Sequence, residues 1–447
     1  MSVKPNGSTG GAGVPGEPIL LSHQLGERTG RYIVVFGDEI RDDPSEIAGM
    51  LHSVAGVRDI ASSLDFESAA LDADQAASAE ATVFAELGIA VVAADPEGAI
   101  GRAAAEDTRI VAVEPELIMY AIDEPTGASL DYVRGWRDAA AALYEQISSG
   151  SAVEARPAAP AYADNDEFTW GLQATMASTS PKTGGGTTVA VLDTGFDLHH
   201  PDFTGRSITA QSFVSGEAPQ DGHGHGTHCV GTSCGPASPQ GSRRYGVASG
   251  ATILVGKVLS NQGQGADAGI LAGINWAVAN HAHVISMSLG ANVPWVSTAY
   301  ETAGRRALDA GSLIVAAAGN NAMRSIGFKG FVGRPANSPS FMAVAAIDSG
   351  LAIADFSARS NPLAQGGNVD IAGPGVAVYS SWPMPERYRI ISGTSMATPH
   401  GAGIAALWHE VTGTTGRGLW STLVGNARHL SLASADVGTG LAQAPQR

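Results

Sequence analysis

The sequence predicts an α/β fold for residues 166–447, with a parallel β-sheet covered by helices on both faces. A small α+β domain over residues 28–122 is predicted to precede it. In the second half of the chain, short apolar runs bounded by glycine or polar residues alternate with helical stretches. That alternation is typical of parallel strands that are buried on both faces. The length of 447 residues is comfortable for two domains.

The first 122 residues divide into a tail and a small domain. Residues 1–27 are rich in Gly, Pro and Ser, which predicts a disordered segment. After them a β-branched and aromatic run predicts a strand, and Asp43 followed by Pro44 is a helix start signal. The order of elements predicts a sandwich with an antiparallel sheet. The predicted strands are 31–36, 57–64, 66–71, 89–94 and 108–115. Predicted helices begin at residues 43 and 97, and residues 79–87 could form either a short helix or a strand.

Residues 123–165 are predicted to form a helix followed by an Ala/Pro-rich linker. Apolar residues between 130 and 147 recur at helical spacing on one face. Beyond the linker lie the strands of the larger domain, with two clear helices between them. The predicted strands are 188–192, 252–258, 282–287, 313–317 and 341–346, and the helices are 266–279 and 298–310.

Composition excludes several classes of protein. The formal net charge of −17 argues against nucleic acid as a partner. The chain has only two cysteines, Cys229 and Cys234, which excludes a disulfide framework, and their spacing on a helix disfavours a bond between them. The sequence shows neither a signal peptide nor an apolar run of about eighteen residues that could cross a membrane. We therefore expect a cytoplasmic protein without a membrane partner, with secretion as the alternative.

One serine stands in a setting that suits a nucleophile. Ser395 follows Gly393, which lets a substrate approach the backbone closely, and it precedes a predicted helix. Pro399 is predicted to lie in the first turn of that helix, where its missing N–H is tolerated. Because a serine hydroxyl is a poor nucleophile until a base removes its proton, the fold should bring a base close to it.

Three other segments complete a recognisable set. They are residues 189–195, 225–228 and 316–320. Together with residues 393–400, and in the chain order Asp, His, Ser, they resemble the subtilisin family of serine proteases. The resemblance runs from about residue 170 to residue 444 and implies a subtilisin-like fold and a serine endopeptidase.

The resemblance also implies a role for each residue of the set. Ser395 would be the nucleophile, His225 its base and Asp193 the partner of the histidine. Asn320 would donate to the oxyanion together with the backbone N–H of the nucleophile. His228 is expected to be a buried, hydrogen-bonded histidine, and the histidine cluster is not expected to hold a metal.

A substrate groove is implied as well. The segment Ser288-Leu289-Gly290 resembles the extended segment that pairs with the main chain of a substrate. Small residues at the matched pocket positions predict a roomy apolar slot, and the lack of an acid there gives no reason to expect basic side chains. These pocket residues are Ala317, Gly319 and Gly333.

No cofactor is required by this chemistry. Asp202 matches the place where family members supply a calcium ligand, which makes it a weak calcium candidate. The other contributor would be the loop 235–244, which has no acid and carries two arginines. Because calcium needs six to eight oxygen ligands, the loop argues against a site here.

Residues 28–122 resemble the inhibitor-type prodomain of the family, which acts as an intramolecular inhibitor and is cut from the enzyme by the enzyme itself. By family spacing the cut falls near residues 120–122. The extra helix and linker offer a rival position near Tyr162, and the sequence does not decide between the two.

Two other functions stay open at this point. One is an enzyme of narrow range that matures or ligates peptides, which the extra helix and linker motivate. The other is a non-catalytic binding module on a dead protease fold, which would need a lost catalytic residue although all four are present. The expected partners are protein or peptide substrates and the chain's own prodomain.

Overall fold

The computed structural model of the protein describes residues 26–41, 43–93, 98–122, 161–361 and 366–447. The predicted helix between 130 and 147 lies outside the described residues. The predicted disordered segment also lies outside them, apart from its last two residues. Two large sheets organise the described part of the chain.

The first sheet is built mainly by the small N-terminal domain. Its strand order is β5-β1-β4-β3-β2, where the strands are β1 (Arg28–Phe36), β2 (Ile60–Ser62), β3 (Ala81–Phe84), β4 (Ile89–Val92) and β5 (Ile110–Ala121). Neighbouring strands pair antiparallel except β2 and β3, which pair parallel. The prediction of a wholly antiparallel sheet is therefore wrong at this edge.

Helix α1 (Pro44–Ala55) forms at the predicted start signal. The carboxylate of Asp43 accepts hydrogen bonds from the backbone N–H groups of Ser45 and Glu46, each 3.1 Å long. These bonds satisfy donors that the first helical turn leaves unpaired. The shorter helices α2 (Ala73–Ser78) and α3 (Ala99–Glu106) follow. The buried apolar face of α1 consists of Ile47, Met50 and Leu51.

One predicted strand of this domain is wrong. Within residues 66–71 the chain forms a short 3₁₀-helix, Glu67–Ala69. Ser68 and Ala69 have φ angles of 54° and 55°, which a strand cannot contain. The Asn280 side chain donates a 2.8 Å hydrogen bond to the Ser68 carbonyl, so a contact with the larger domain accompanies the turn.

The second sheet is parallel throughout. Its strand order is β14-β13-β12-β10-β6-β8-β7. The five strands predicted from the sequence are present, with boundaries that differ by at most two residues. The edge strands β7 and β14 were not predicted. The strands are β6 (Thr188–Asp193), β7 (Ile208–Ser212), β8 (Thr252–Lys257), β10 (Val284–Met287), β12 (Leu313–Ala317), β13 (Met342–Ile347) and β14 (Ile371–Pro374).

Helices cover this sheet, and its apolar strand residues form the core. None of the described helices is long and apolar enough to cross a membrane. A separate two-stranded hairpin joins β15 (Val378–Ser381) and β16 (Tyr388–Ile391). The helices are α4 (Trp170–Ala174), α5 (His225–Cys234), α6 (Asp267–Ala279), α7 (Thr298–Asp309), α8 (Thr394–Thr412), α9 (Gly416–Gly425) and α10 (Ser434–Val437).

The last strand of the small domain joins the two halves of the described chain. Two short strands of the larger domain, β9 (Gln264–Ala266) and β11 (Leu289–Gly290), both pair antiparallel with β5. Through them β5 extends the first sheet into the larger domain. The register of the small domain therefore sets where the end of β5 lies on the larger domain.

Arg306 of α7 binds the small domain to the larger one. Only 3% of Arg306 is exposed, and its guanidinium donates to the backbone carbonyls of Phe36 at 2.9 Å and Gly88 at 3.3 Å. The same guanidinium pairs with the carboxylate of Asp38 at 2.8 Å. A buried charge with these partners resists separation of the two parts, because separation would break charge-assisted hydrogen bonds.

Replacing Arg306 with alanine should therefore weaken the packing of the two domains. We expect the free energy of unfolding of the uncut chain to fall by about 3 kcal/mol, because carbonyl acceptors lose a charged donor. Arg305→Ala is the matched control, since Arg305 also pairs with Asp38 but is 39% exposed and should change stability by ~0.5 kcal/mol. Urea denaturation measures both, and equal effects would contradict the anchoring role.

Candidate active site

Asp193 and His225 meet at the carboxyl end of β6. Asp193 is the last residue of that strand and His225 the first residue of α5. The Nδ1 atom of His225 lies 2.7 Å from Oδ1 of Asp193, and both side chains are fully buried. Before the histidine, Gly224 has a φ of 109°, and a Cβ there would collide with the Trp382 ring. The glycine therefore allows the sharp entry into α5.

A residue that sequence reasoning missed ties these two segments together. The carboxylate of Asp221 accepts from the Thr194 hydroxyl at 3.0 Å and from the backbone N–H of Gly224 at 2.8 Å. Its other oxygen accepts from the backbone N–H of Thr227 at 2.9 Å. Asp221 thus caps α5 and holds the residue after Asp193 at the same time. An aspartate four positions before His225 is a helix-cap signal that could have indicated it.

Ser395 is the second residue of α8, and its backbone is held by an unusual arrangement. Pro399 is the sixth residue of α8 rather than part of the first turn as predicted. Because Pro399 has no N–H, it cannot bond the carbonyl four residues earlier, which is the carbonyl of Ser395. The Ser288 hydroxyl donates to that carbonyl at 2.7 Å and the Cys229 thiol at 3.6 Å. The proline is tolerated because side chains replace the missing helical donor.

Asn320 follows β12, and its orientation is determined by its neighbour in α8. The Asn320 Oδ1 atom accepts from the backbone N–H of Thr394 at 2.9 Å and from its hydroxyl at 2.8 Å. With Oδ1 held by two donors, the amide Nδ2 is directed to the other side. There it donates to the backbone carbonyl of Ile122 at 3.0 Å.

The carbonyl oxygen of Ile122 is the point where these groups converge. It also accepts a 2.6 Å hydrogen bond from the Ser395 hydroxyl. A Cβ on Gly393 would lie 3.0 Å from the same oxygen, so a glycine keeps the approach open. Of the two cleavage positions that the sequence left undecided, residue 122 lies at Ser395. Tyr162 instead donates its backbone N–H to the Ser349 carbonyl at 2.9 Å.

The chain leading to Ile122 lies in an extended groove. Residues Ile118 to Tyr120 pair with β9, and Tyr120 and Ala121 pair with β11, which contains the predicted Leu289 and Gly290. The backbone N–H of Ile122 donates to the Ser288 carbonyl at 3.3 Å. The predicted substrate-pairing segment therefore does pair with an extended strand, and that strand belongs to the same chain.

A cavity of about 240 Å³ opens beside Ile122. The three predicted pocket residues all line it. Two of them are glycines and the third is an alanine, so the walls leave room for a side chain. These residues are Ala317, Gly319 and Gly333.

The remaining polar groups of α5 are buried and uncharged. The Nε2 atom of His228 lies 3.0 Å from the Val378 carbonyl, and burial lowers the pKa of this histidine to about 3. Cys229 lies 3.9 Å from Nδ1 of His225, and burial raises the pKa of its thiol to about 11. Cys234 is likewise buried, and both cysteines are free, as predicted.

Asp202, the calcium candidate, does not fit a metal ion. Its carboxylate pairs with the Arg387 guanidinium at 2.7 Å and accepts hydroxyl protons from Tyr245 at 2.7 Å and Tyr388 at 3.0 Å. A cation would have to displace a guanidinium that is already paired. The same Arg387 donates to the Gln240 carbonyl at 2.9 Å, so an arginine joins Asp202 to the loop 235–244.

Comparisons with known proteins agree on one family. The profile of the Subtilase family matches residues 184–441. A cuticle-degrading serine protease of Arthrobotrys oligospora is 38% identical over 265 residues, which cover 55% of this chain and 60% of that protein. Subtilisin E of Bacillus subtilis is 42% identical over 227 residues, which cover 50% of this chain and 56% of the relative. The matches therefore span little more than half the length of these two relatives.

A shorter relative and a solved structure are matched over more of their length. Subtilisin DY of Bacillus licheniformis is 40% identical over 225 residues, which cover 50% of this chain and 77% of that protein. The crystal structure of a cold-adapted subtilisin-like serine proteinase superposes with a TM-score of 0.51 at 32% identity. That likeness covers 62% of this chain and 97% of the other.

Because Arg387 already neutralises Asp202, we expect that calcium binding at Asp202 contributes nothing to the free energy of unfolding. Arg387→Met should lower the free energy of unfolding by about 3 kcal/mol, because it leaves a buried carboxylate without its cation. Arg389→Met is the control, since Arg389 pairs with Glu386 where both side chains are more than 40% exposed, and should cost ~1 kcal/mol or less. Thermal unfolding with calcium or a chelator measures the effect. A parent chain that loses stability with the chelator, while Arg387→Met costs no more than Arg389→Met, would contradict it.

Proposed function

The chain belongs to the subtilase family, and from that premise we propose that it is a serine endopeptidase whose first substrate is its own peptide bond after Ile122. One contact carries the proposal. The Ile122 carbonyl oxygen accepts hydrogen bonds from the Ser395 hydroxyl and from the Asn320 amide. A carbonyl between a nucleophile and an oxyanion donor is arranged as a substrate.

We infer the reaction from the family's mechanism, from the pairing of Asp193 with His225 and from the Ile122 carbonyl at Ser395 and Asn320. His225 takes the proton of the Ser395 hydroxyl on Nε2, while Asp193 bound to Nδ1 stabilises the charged imidazole. The serine oxygen attacks the carbonyl carbon, and the charge that develops on its oxygen meets the Asn320 amide and the backbone N–H of Ser395. His225 then returns the proton to the departing amine, and water releases the acyl group by the same route. None of these steps needs a cofactor.

The small domain would act as an intramolecular inhibitor. Its strand β5 pairs with both β9 and β11, so no other peptide can add to those strands while it stays. Contacts between the domains away from the reacting bond, such as the bond from Arg306 to the Phe36 carbonyl, can persist after the chain is cut. Release of the small domain, rather than the cut alone, would therefore give other proteins and peptides access to Ser395.

The cavity beside Ile122 indicates the residue that precedes the cut. Its lining includes Ala317 and three glycines, and Arg334 is the one charged residue among the described residues that line it. Burying an apolar side chain there gains about 2 kcal/mol over leaving it in water. We therefore propose that the enzyme cuts after apolar residues.

Ser395→Ala should abolish both self-processing and hydrolysis of added peptides, because no acyl-enzyme can form. The chain should then remain at 45.4 kDa and should not react with a fluorophosphonate probe. Ser392→Ala is the control, since the Ser392 hydroxyl accepts a 3.0 Å hydrogen bond from the Ala377 N–H and no step of the reaction uses it. Intact-mass spectrometry reads out the cut, and a Ser395→Ala chain that still cuts itself would refute the assignment.

Asn320→Ala should lower kcat far more than it raises KM, because the oxyanion exists only along the reaction path. Loss of one oxyanion donor in a subtilisin costs roughly 100- to 1,000-fold in turnover, and we expect the same scale here. Steady-state kinetics on a peptide with an apolar residue before the cut measure kcat and KM. An unchanged kcat with a raised KM would show that Asn320 binds substrate and does not stabilise the transition state.

A further inference from the structure

The carboxylate of Glu114 occupies a socket that belongs entirely to the larger domain. The hydroxyl of Ser297 and the backbone N–H of Thr298 each donate to it at 2.5 Å. The guanidinium of Arg334 donates to it at 3.0 Å. We name these three residues, Ser297, Thr298 and Arg334, the Glu114 socket.

The socket is built for an anion. It lies at the N-terminus of α7, a helix of twelve residues, where backbone N–H groups and the helix dipole favour negative charge. Arg334 is only 6% exposed, and its Nε and Nη1 atoms have no hydrogen-bond partner among the described residues. The donors therefore exceed what Glu114 itself uses.

A second carboxylate, at the start of α6, faces Arg334. The carboxylate of Asp267 lies 3.7 Å from the arginine Nη1 atom. Burial raises the pKa of Asp267 to about 6, and its two oxygens also accept from the Tyr300 hydroxyl and the Leu117 N–H. The Tyr300 hydroxyl belongs to the larger domain and still shares the Asp267 charge after the small domain has left. Asp267 therefore leaves Arg334 incompletely neutralised.

The socket lies in line with the groove. Glu114 is in β5, eight positions before Ile122. An extended peptide that enters the groove in the same direction and register passes the socket at that distance. Glu116, two positions on, accepts from the backbone N–H of Ala268 at 2.9 Å, but its other oxygen accepts from Thr29 of the small domain. Of these two carboxylates of β5, that of Glu114 is the one whose described partners all lie in the larger domain.

We propose that, once the small domain has left, the Glu114 socket binds an acidic side chain of peptide substrates eight positions before the residue at the cut. This inference rests on the proposed endopeptidase function and names a substrate class for it. Without residues 1–122 the chain has 23 Asp and Glu against 19 Lys and Arg, a formal net charge of −4. Long-range repulsion of acidic peptides is therefore weak, and the socket can attract an acidic side chain locally. It gives the enzyme a means of selecting among apolar cleavage positions.

The kinetic signature follows from the distance between the socket and the reacting bond. The contact is the same in the ground state and the transition state, so it lowers KM and leaves kcat unchanged. We expect KM to be about tenfold lower with an acidic residue at that position than with a neutral one, which corresponds to ~1.4 kcal/mol.

The test uses the full chain after it has cut itself and the released segment has been removed by gel filtration. One quenched fluorescent peptide carries the chain's own residues 112–127, and a second carries glutamine at the position of Glu114. A third moves the glutamate to the position of Pro115, which faces the opposite side of a strand. The first peptide should have a KM about tenfold below the other two. Equal KM values for all three would overturn the proposal.

Variants assign the effect to the socket. With Ser297→Ala the KM of the first peptide should rise close to that of the other two peptides. A peptide that is too short to reach the socket reports the activity of the same preparation. Should that variant fail to fold, Arg334→Lys keeps the charge and removes the planar fork, and should reduce the advantage. An advantage that survives both changes would contradict the socket.

A second arm does not need self-processing, so it separates failure of the socket from failure of the proposed function. In the uncut Ser395→Ala chain, Glu114→Ala empties the socket. Acetate at a few hundred millimolar should then raise the melting temperature by about 1–2 °C more than chloride at equal ionic strength. The gain should vanish when Ser297→Ala is added. Without any gain from acetate the socket proposal is wrong, whether or not the parent chain cuts itself.

Discussion

The pairing of β5 with strands from both parts of the chain is the constraint on which the rest of the structure depends. On one side β5 pairs with β1 of the small domain, and on the other it pairs with β9 and β11 of the larger one. The register of those pairings sets which carbonyl lies at the end of the groove. That carbonyl belongs to Ile122, and it meets the Ser395 hydroxyl at 2.6 Å. Under the proposed self-processing, folding of the small domain would also position the first substrate.

The groups around this carbonyl are held by bonds that leave little freedom. Thr394 sets the orientation of the Asn320 amide, and Asp221 holds α5 against the segment after Asp193. Ser288 supplies the donor that Pro399 removes. Each of these residues acts on the reacting groups through a backbone or side-chain contact, so these groups are held in place around the Ile122 carbonyl.

The sequence predicts the parts of this structure that depend on local pattern. Buried apolar runs reveal most strands of the parallel sheet, and the motif order points to Asp193, His225, Asn320 and Ser395. Contacts between distant segments are not visible in the same way. The turn at Ser68, the salt bridge from Arg387 to Asp202 and the bond from Thr194 to Asp221 each depend on residues far apart in the chain. The choice between Ile122 and Tyr162 needs the register of β5 for the same reason.

The most direct measurement of the central claim is the position and the order of the first cut in freshly refolded chain. N-terminal sequencing of the larger fragment at early times should give Asp123 as its first residue. Its rate of appearance should not change over a hundredfold range of protein concentration, because the bond and Ser395 belong to one molecule. A first fragment that begins beyond Tyr162, or a rate that rises in proportion to concentration, would contradict the account.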